Sequence, residues 1–230
     1  MSLFVIGDLH LSLAADKPMD VFGGAWVGYV DKLREGFAAV SEDDTVVMPG
    51  DLSWAMSLES TKADFDFINE LPGKKIFLKG NHDYWWTTAA KMRRFFEESG
   101  WNFELLHNNS LSYENYALCG TRGWYFADVF GDAGDEKVYK RELIRLDTSL
   151  KSAKDGGFEH IIAFLHYPPI VGSKACDDIT RMLDEYGVER CYYGHLHGGA
   201  HSLAFEGVYG GVDYRLISAD YLNFKPLKIL

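Results

Sequence analysis

The chain reads as an α/β protein with α+β elements, on three observations. Through the first third, short continuous apolar runs alternate with stretches of helical period, in the order strand, helix, strand, helix, strand. Beyond Gly100 the pattern changes to brief strands broken by turn residues. Five of the apolar runs stop abruptly at Asp, Asn or His. A sheet that begins as a parallel one collects ligands beyond the carboxyl ends of its strands, so those polar stops fall where a site belongs.

Residues 3–6 form a continuous apolar run, the pattern of a strand buried on both faces, and Asp8 and His10 follow it. Residues 11–24 read as loop, with Pro18 and the pair Gly23-Gly24. From Trp26 the period becomes helical, with Val30, Leu33, Phe37 and Val40 on one face. A second buried strand at 45–48 runs into Pro49-Gly50-Asp51. Ala63, Phe67, Ile68 and Leu71 mark another helix, closed by Pro72-Gly73. The third strand, 75–78, leads into Gly80-Asn81-His82-Asp83. A helix over 87–99 turns Met92, Phe95 and Phe96 inward.

Strands at 103–106, 111–113 and 116–119 then read as a meander, separated by Asn108-Asn109 and Glu114-Asn115. Residues 121–135 are irregular and rich in aromatics. A long helix from about 136 to 153 precedes a strand at 160–165, a helix over 174–186 and a strand at 189–193. Further strands are expected at 202–205 and 214–218. No linker, repeat or low-complexity tract interrupts the chain, so one domain spanning residues 1–230 is the simplest account.

Composition narrows the function. A formal net charge of -11 offers no basic excess to neutralise phosphates, which argues against nucleic-acid or anionic-membrane partners. A small phosphorylated substrate stays open, because bound cations can supply positive charge locally. The three cysteines show no C-x-x-C pair, so neither a disulfide framework nor a thiolate zinc site is expected. The N-terminus lacks a signal-peptide pattern, and no apolar run approaches the roughly 20 residues that span a bilayer. The expectation is a cytoplasmic enzyme of open oligomeric state.

The five polar stops are Ile6-Gly7-Asp8-Leu9-His10, Met48-Pro49-Gly50-Asp51, Gly80-Asn81-His82-Asp83, Phe164-Leu165-His166-Tyr167 and Tyr193-Gly194-His195-Leu196-His197. Any one of them alone is ordinary, since a lone His at a strand end is usually structural and a lone Gly-Asp is usually a turn. Together they hold five of the eight histidines. As a ligand set, Asp8, Asp51, Asn81, His10, His166, His195 and His197 supply two carboxylates, one amide oxygen and four imidazoles. That mixture suits Mn, Fe or Zn, whereas Mg and Ca prefer nearly all-oxygen shells. Seven such groups exceed the needs of one ion and fit two, the usual device for hydrolysing phosphate esters.

The ordered set Asp-x-His, Gly-Asp, Gly-Asn-His-Asp, His and Gly-His-x-His resembles the calcineurin-like metallophosphoesterases over nearly the whole chain. The resemblance implies two mixed β-sheets packed as a sandwich and flanked by helices. It implies that Asp8, His10 and His197 bind one metal, that Asn81, His166 and His195 bind the other, and that Asp51 bridges them. A hydroxide held by the ions would attack a phosphomonoester or phosphodiester. His82 would face the substrate, stabilising charge or protonating the leaving group, and Asp83 would hold the loop in place. A catalytically inactive scaffold on the same fold is the alternative, and a complete ligand set argues against it.

One departure bears on the substrate. Protein Ser/Thr phosphatases of that superfamily carry Gly-Asp-x-x-Asp-Arg-Gly, and here Trp54 and Ala55 stand at the second Asp and the Arg. That argues for a bacterial-type phosphohydrolase outside the protein-phosphatase branch, acting on a phosphorylated small molecule. Between Asn81 and His166 lies Thr121-Arg122-Gly123-Trp124-Tyr125-Phe126. Arg122 is a candidate for gripping phosphate, and the aromatics for a base platform, a lid or a hydrophobic plug.

Overall fold

The apolar runs form the strands that their composition calls for, and the computed structural model describes residues 1–15, 17–124 and 133–230. The chain opens with β1 (Leu3–Val5), α1 (Tyr29–Phe37), β2 (Thr45–Pro49), α2 (Lys62–Glu70), β3 (Lys74–Leu78), α3 (Ala89–Ser99) and β4 (Phe103–Leu105). It continues with β5 (Leu111–Tyr113), β6 (Tyr116–Thr121), α4 (Ala133–Asp155), β7 (His160–Leu165), β8 (Ile170–Val171) and β9 (Lys174–Ala175). It ends with α5 (Asp177–Glu185), β10 (Val188–Tyr193), β11 (Gly207–Tyr209), β12 (Val212–Leu216) and β13 (Leu227–Lys228). These elements form two units, each with its own mixed sheet. No helix among the described residues is long and apolar enough to cross a membrane.

The first unit comprises Met1–Leu105, His197–Gly199 and Ile217–Leu230. Its five-stranded sheet has the order β13-β1-β2-β3-β4, with β1 to β4 parallel and β13 antiparallel at the edge. Leu33 and Phe37 of α1 are buried, Val30 only partly so. A Cβ at Gly36 would strike the backbone of Phe224, so glycine is what lets α1 sit against the C-terminal turn. In α2 the buried residues are Asp64, Phe65, Phe67 and Ile68, and Ala63 is exposed rather than on the inner face. Thr88 caps α3 by accepting a hydrogen bond from the Lys91 amide (3.3 Å), and left-handed Gly100 closes it. Phe65 meets Trp85 edge to face at 4.9 Å, and Phe77 lies 4.6 Å from Phe103. Burying each such ring contributes about 1.5–3 kcal/mol.

The second unit comprises Leu106–Leu196 and Ala200–Leu216. Its sheet has the order β11-β12-β10-β7-β6-β5. The strands β6, β7, β10 and β12 run parallel, and only the edges are antiparallel. The expected meander is therefore corrected. β4 adds to the first sheet, with Lys75 opposite Phe103 and Phe77 opposite Leu105, while β5 and β6 form a hairpin in the second. α4 is the crossover that makes β6 and β7 parallel. Leu146, Leu150 and Ala153 of α4 are buried, and its Ser149 hydroxyl accepts from the Gly120 amide of β6 (2.9 Å).

Two further expectations change. Residues 174–176 are not helical: β8 and β9 form a small hairpin around left-handed Gly172, and α5 begins only at Asp177. Residues 202–205 are not a strand. Gly198–Leu203 turns as a 3₁₀ segment from left-handed Gly198, the Ala204 amide donates to the His201 carbonyl (3.0 Å), and Tyr193 donates to the Phe205 carbonyl (2.7 Å). The pairing the segment does make is an isolated bridge between Ala204 and Val171, with the Gly172 amide donating to the Leu203 carbonyl (2.7 Å).

Candidate metal centre

The loops after β1 and β2 are zipped together by their backbones. The amides of Asp8, His10 and Leu11 donate to the carbonyls of Gly50, Asp51 and Leu52, each at 2.9 Å, and the Trp54 amide returns to Leu11 at 2.9 Å. To make these turns Asp8, His10 and Asp51 adopt φ values of 58°, 47° and 52°. Left-handed backbone at a non-glycine residue costs on the order of 1–3 kcal/mol and persists only where the surroundings enforce it. Four of the eight such residues among those described are predicted ligands, His195 (φ 73°) being the fourth.

Asp83 joins the loop after β3 to the same edge. Its buried carboxylate accepts the amides of Gly80 (2.7 Å), Asp51 (2.9 Å) and Leu52 (2.9 Å) and the indole N–H of Trp85 (3.0 Å). Gly80 must be glycine, because a Cβ would collide with the carboxylate and amide of Asp51. The His82 amide donates to Asp51 Oδ1 at 2.7 Å, which fixes that carboxylate. Partly buried Asn81 lies in the chain between these two anchored amides.

Asp8, His10 and His197 present ligand atoms that all lie within 4.8 Å of one another. His10 Nε2 and His197 Nε2 are 3.2 Å apart, His197 Nε2 is 3.6 Å from Asp8, and His10 Nε2 is 3.7 Å from Asp51 Oδ2. Sequence reasoning missed Asp220, which sits 2.9 Å from His197 Nδ1 and accepts the Gly198 amide at 3.0 Å. A carboxylate on Nδ1 leaves Nε2 aimed at Asp8 and His10. The available signal was another apolar strand end running into Asp, in Leu216-Ile217-Ser218-Ala219-Asp220.

The electrostatics fit a cation. Burial pushes Asp51 well above the usual carboxylate range, and the neighbouring carboxylates of Asp83 and Asp8 push it further. Asp83 is raised as well, mainly by burial, against its four donors. Burial alone would lower His197, but Asp220 and Asp8 outweigh it and hold the imidazole up to about 10. A buried carboxylate pushed up by its acidic neighbours, and an imidazole that keeps a proton between Asp220 and Asp8, are groups that a metal ion would discharge. The mixed carboxylate and imidazole donors fit a transition metal.

His82 lies on this edge with its ring 4.4 Å from Trp54 and 5.7 Å from His10. Its Nδ1 is 3.4 Å from the Tyr84 hydroxyl. Burial lowers its pKa first, and the ammonium of Lys17 adds to that. Trp54 stacks on His10 at 5.1 Å, and Lys17 Nζ stands 3.3 Å from the centre of the Trp54 ring. An indole and a cation thus stand beside His82.

In the second unit His166 follows β7 and His195 follows β10. The amides of His166 and Tyr167 both donate to the Arg122 carbonyl (3.1 and 2.8 Å), and the Gly194 amide donates to the His166 carbonyl (3.1 Å). The rings of His166 and His195 are 5.2 Å apart, with Tyr167 4.3 Å from His195. The Arg122 side chain is turned to buried Glu142 (3.5 Å) and lies 4.4 Å over the Trp124 ring. Of the aromatic segment, Tyr125, Phe126 and Phe130 lie outside the described residues.

Comparison with solved structures finds the same fold at low identity. The chain is similar to phosphopantetheinyl hydrolase (PptH) of Mycobacterium tuberculosis, at 14% identity and a TM-score of 0.57, covering 100% of this chain and 95% of that one. It is similar to TT1561 of Thermus thermophilus, at 12% identity and a TM-score of 0.54, covering 85% and 81%. No curated protein matches the chain. The model of the family described as calcineurin-like phosphoesterase matches residues 1–199, through both units, and the chain belongs to that family.

Proposed function

We propose that the chain is a dinuclear metal-dependent phosphoesterase that hydrolyses a phosphomonoester or phosphodiester of a small molecule. The observation that carries this reading is the cluster of buried Asp8 and His10 with half-buried His197, with Asp51 3.7 Å from His10. Asp51 is proposed to bridge two ions of Mn, Fe or Zn. The family pattern gives Asn81, His166 and His195 to the second ion. When bound, such ions polarise a phosphate and lower the pKa of a coordinated water. The chain's own contribution is positional. Asp83 fixes the loops, Asp220 sets the tautomer of His197, and Asp51 is oriented by the His82 amide.

His82 is proposed to contact the phosphate or leaving group, stabilising charge or donating a proton. Its ring position beside Trp54 and His10 supports that placement. The ion pair of Arg122 with Glu142 supports a structural role there ahead of a phosphate contact. The match over residues 1–199 supports a single domain over 1–230, and the three free, buried cysteines support a reducing, cytoplasmic setting.

The test is hydrolysis of an aryl phosphate by manganese-loaded protein. Asp51→Asn is expected to lose about a thousandfold or more in kcat. His82→Ala is expected to keep its metals and slow by about 10²–10⁴-fold. Undiminished turnover in Asp51→Asn would sink the reading.

A further inference from the structure

We propose that a groove beside His82 receives the organic part of the substrate, and that this part is a flat, apolar ring system. The inference rests on the phosphoesterase reading above and names the substrate class for the same site. The groove is a cavity of about 310 Å³ lined by Lys17, Met19, Phe22, Trp26, Trp54 and His82, and it also reaches the ligand candidates His10 and His197. A phosphate held at the metal centre would have the Trp54 wall of the groove beside it to receive its substituent. The volume is at the low end for small-molecule sites and suits a ring-sized group.

Three features favour a ring over a sugar, a peptide or an alkyl chain. Trp54 is held in one orientation, with its indole N–H 3.1 Å from Met19 Sδ and its ring stacked on His10 at 24°. Trp26 is buried and set edge-on to His10 and His197, at 5.8 Å from each. Fixed aromatic walls reward a flat partner through offset or edge contacts, which a flexible chain cannot reproduce. The surroundings are apolar too. Phe22, which lines the groove, is 57% exposed. An exposed Phe in the lining offers the ring a further apolar partner. Beyond the imidazoles, Lys17 is the polar group in the lining, and its ammonium already faces the Trp54 ring. A hydroxyl-rich leaving group would find few partners there.

The test is calorimetric binding of non-hydrolysable phosphonates to the manganese-loaded protein, so that turnover plays no part. 1-Naphthylmethylphosphonate is expected to bind at least about tenfold tighter than methylphosphonate, and tighter than n-undecylphosphonate of equal carbon number. In Phe22→Asp the ratio of naphthylmethyl to methyl affinity is expected to fall by about threefold or more. Equal affinity for the naphthylmethyl and methyl compounds overturns the subsite while leaving the phosphoesterase reading intact. A tighter undecyl compound overturns the ring assignment. Failure of every phosphonate to bind, with no manganese taken up, overturns both.

Discussion

In the first unit buried carboxylates join main-chain bonds in organising the loops after β1, β2 and β3, whereas in the second the loops after β7 and β10 are held by main-chain bonds. Asp83 gathers four N–H donors, Asp220 orients His197, and Asp8 and Asp51 raise the electrostatic cost of their own neighbourhood. His166 and Tyr167 instead hang from the Arg122 carbonyl, and the Gly194 amide closes on His166. A set of buried acids is unfavourable until a cation joins it, while imidazoles on a backbone frame carry no such penalty. Metal binding should therefore stabilise the first unit in particular, because its folding and its ion are coupled.

The largest expected effect tests the carboxylate hub. Asp83→Ala leaves three amides and an indole N–H of the first unit without their acceptor, and should cost about 3 kcal/mol or more in urea unfolding. A cost near zero would mean that the hub merely decorates the loops. Next in size, Asp220→Asn should weaken metal affinity about 10–100-fold in a chelator competition. An unchanged affinity would remove Asp220 from the account of His197. In the second unit, Glu142→Gln disturbs the contacts to Thr121 (2.6 Å), Arg122 (3.5 Å) and Arg145 (2.7 Å), and should cost about 1–2 kcal/mol of stability.

The smallest effect compares the two ends of β3. At the end opposite Asn81, Lys75 is buried, its ammonium donates to the Leu71 carbonyl, and burial lowers its pKa from 10.5 to about 8. Between those values the unfolded chain holds a proton that the folded one has released. Stability should therefore rise with pH across that window, by on the order of 1 kcal/mol. Lys75→Met should flatten the rise, measured as unfolding free energy against pH, and an equally steep rise in that variant would contradict the assignment.

Much of this was legible because strand ends are conspicuous. A continuous apolar run that stops at Asp or His announces both a buried strand and its exit, so Asp8, Asp51, Asn81, His166 and His195 could be placed on strand exits from sequence. Gly80 was visible as part of a motif, but its reason, contact with Asp51, was not. Asp220 escaped notice because Ile217, Ser218 and Ala219 separate it from the end of β12, and because nothing local pairs it with His197, 23 positions away. The left-handed backbone of Asp8, His10, Asp51 and His195 opposes residue preference and is set by tertiary contacts. Strand partnership failed for the same reason: three residues of β4 pair equally well with either neighbour until the rest of the sheet decides. The groove around Trp54 joins residues from the loops after β1, β2 and β3, which no local pattern relates.

The most direct measurement is the metal content of desalted, manganese-loaded protein, wild type against Asp51→Asn, by plasma mass spectrometry. About two ions per wild-type chain and fewer than about one in the variant are expected if Asp51 sits between the two ions. A wild-type chain that retains no transition metal, or a variant that retains as much as wild type, would contradict the proposed centre.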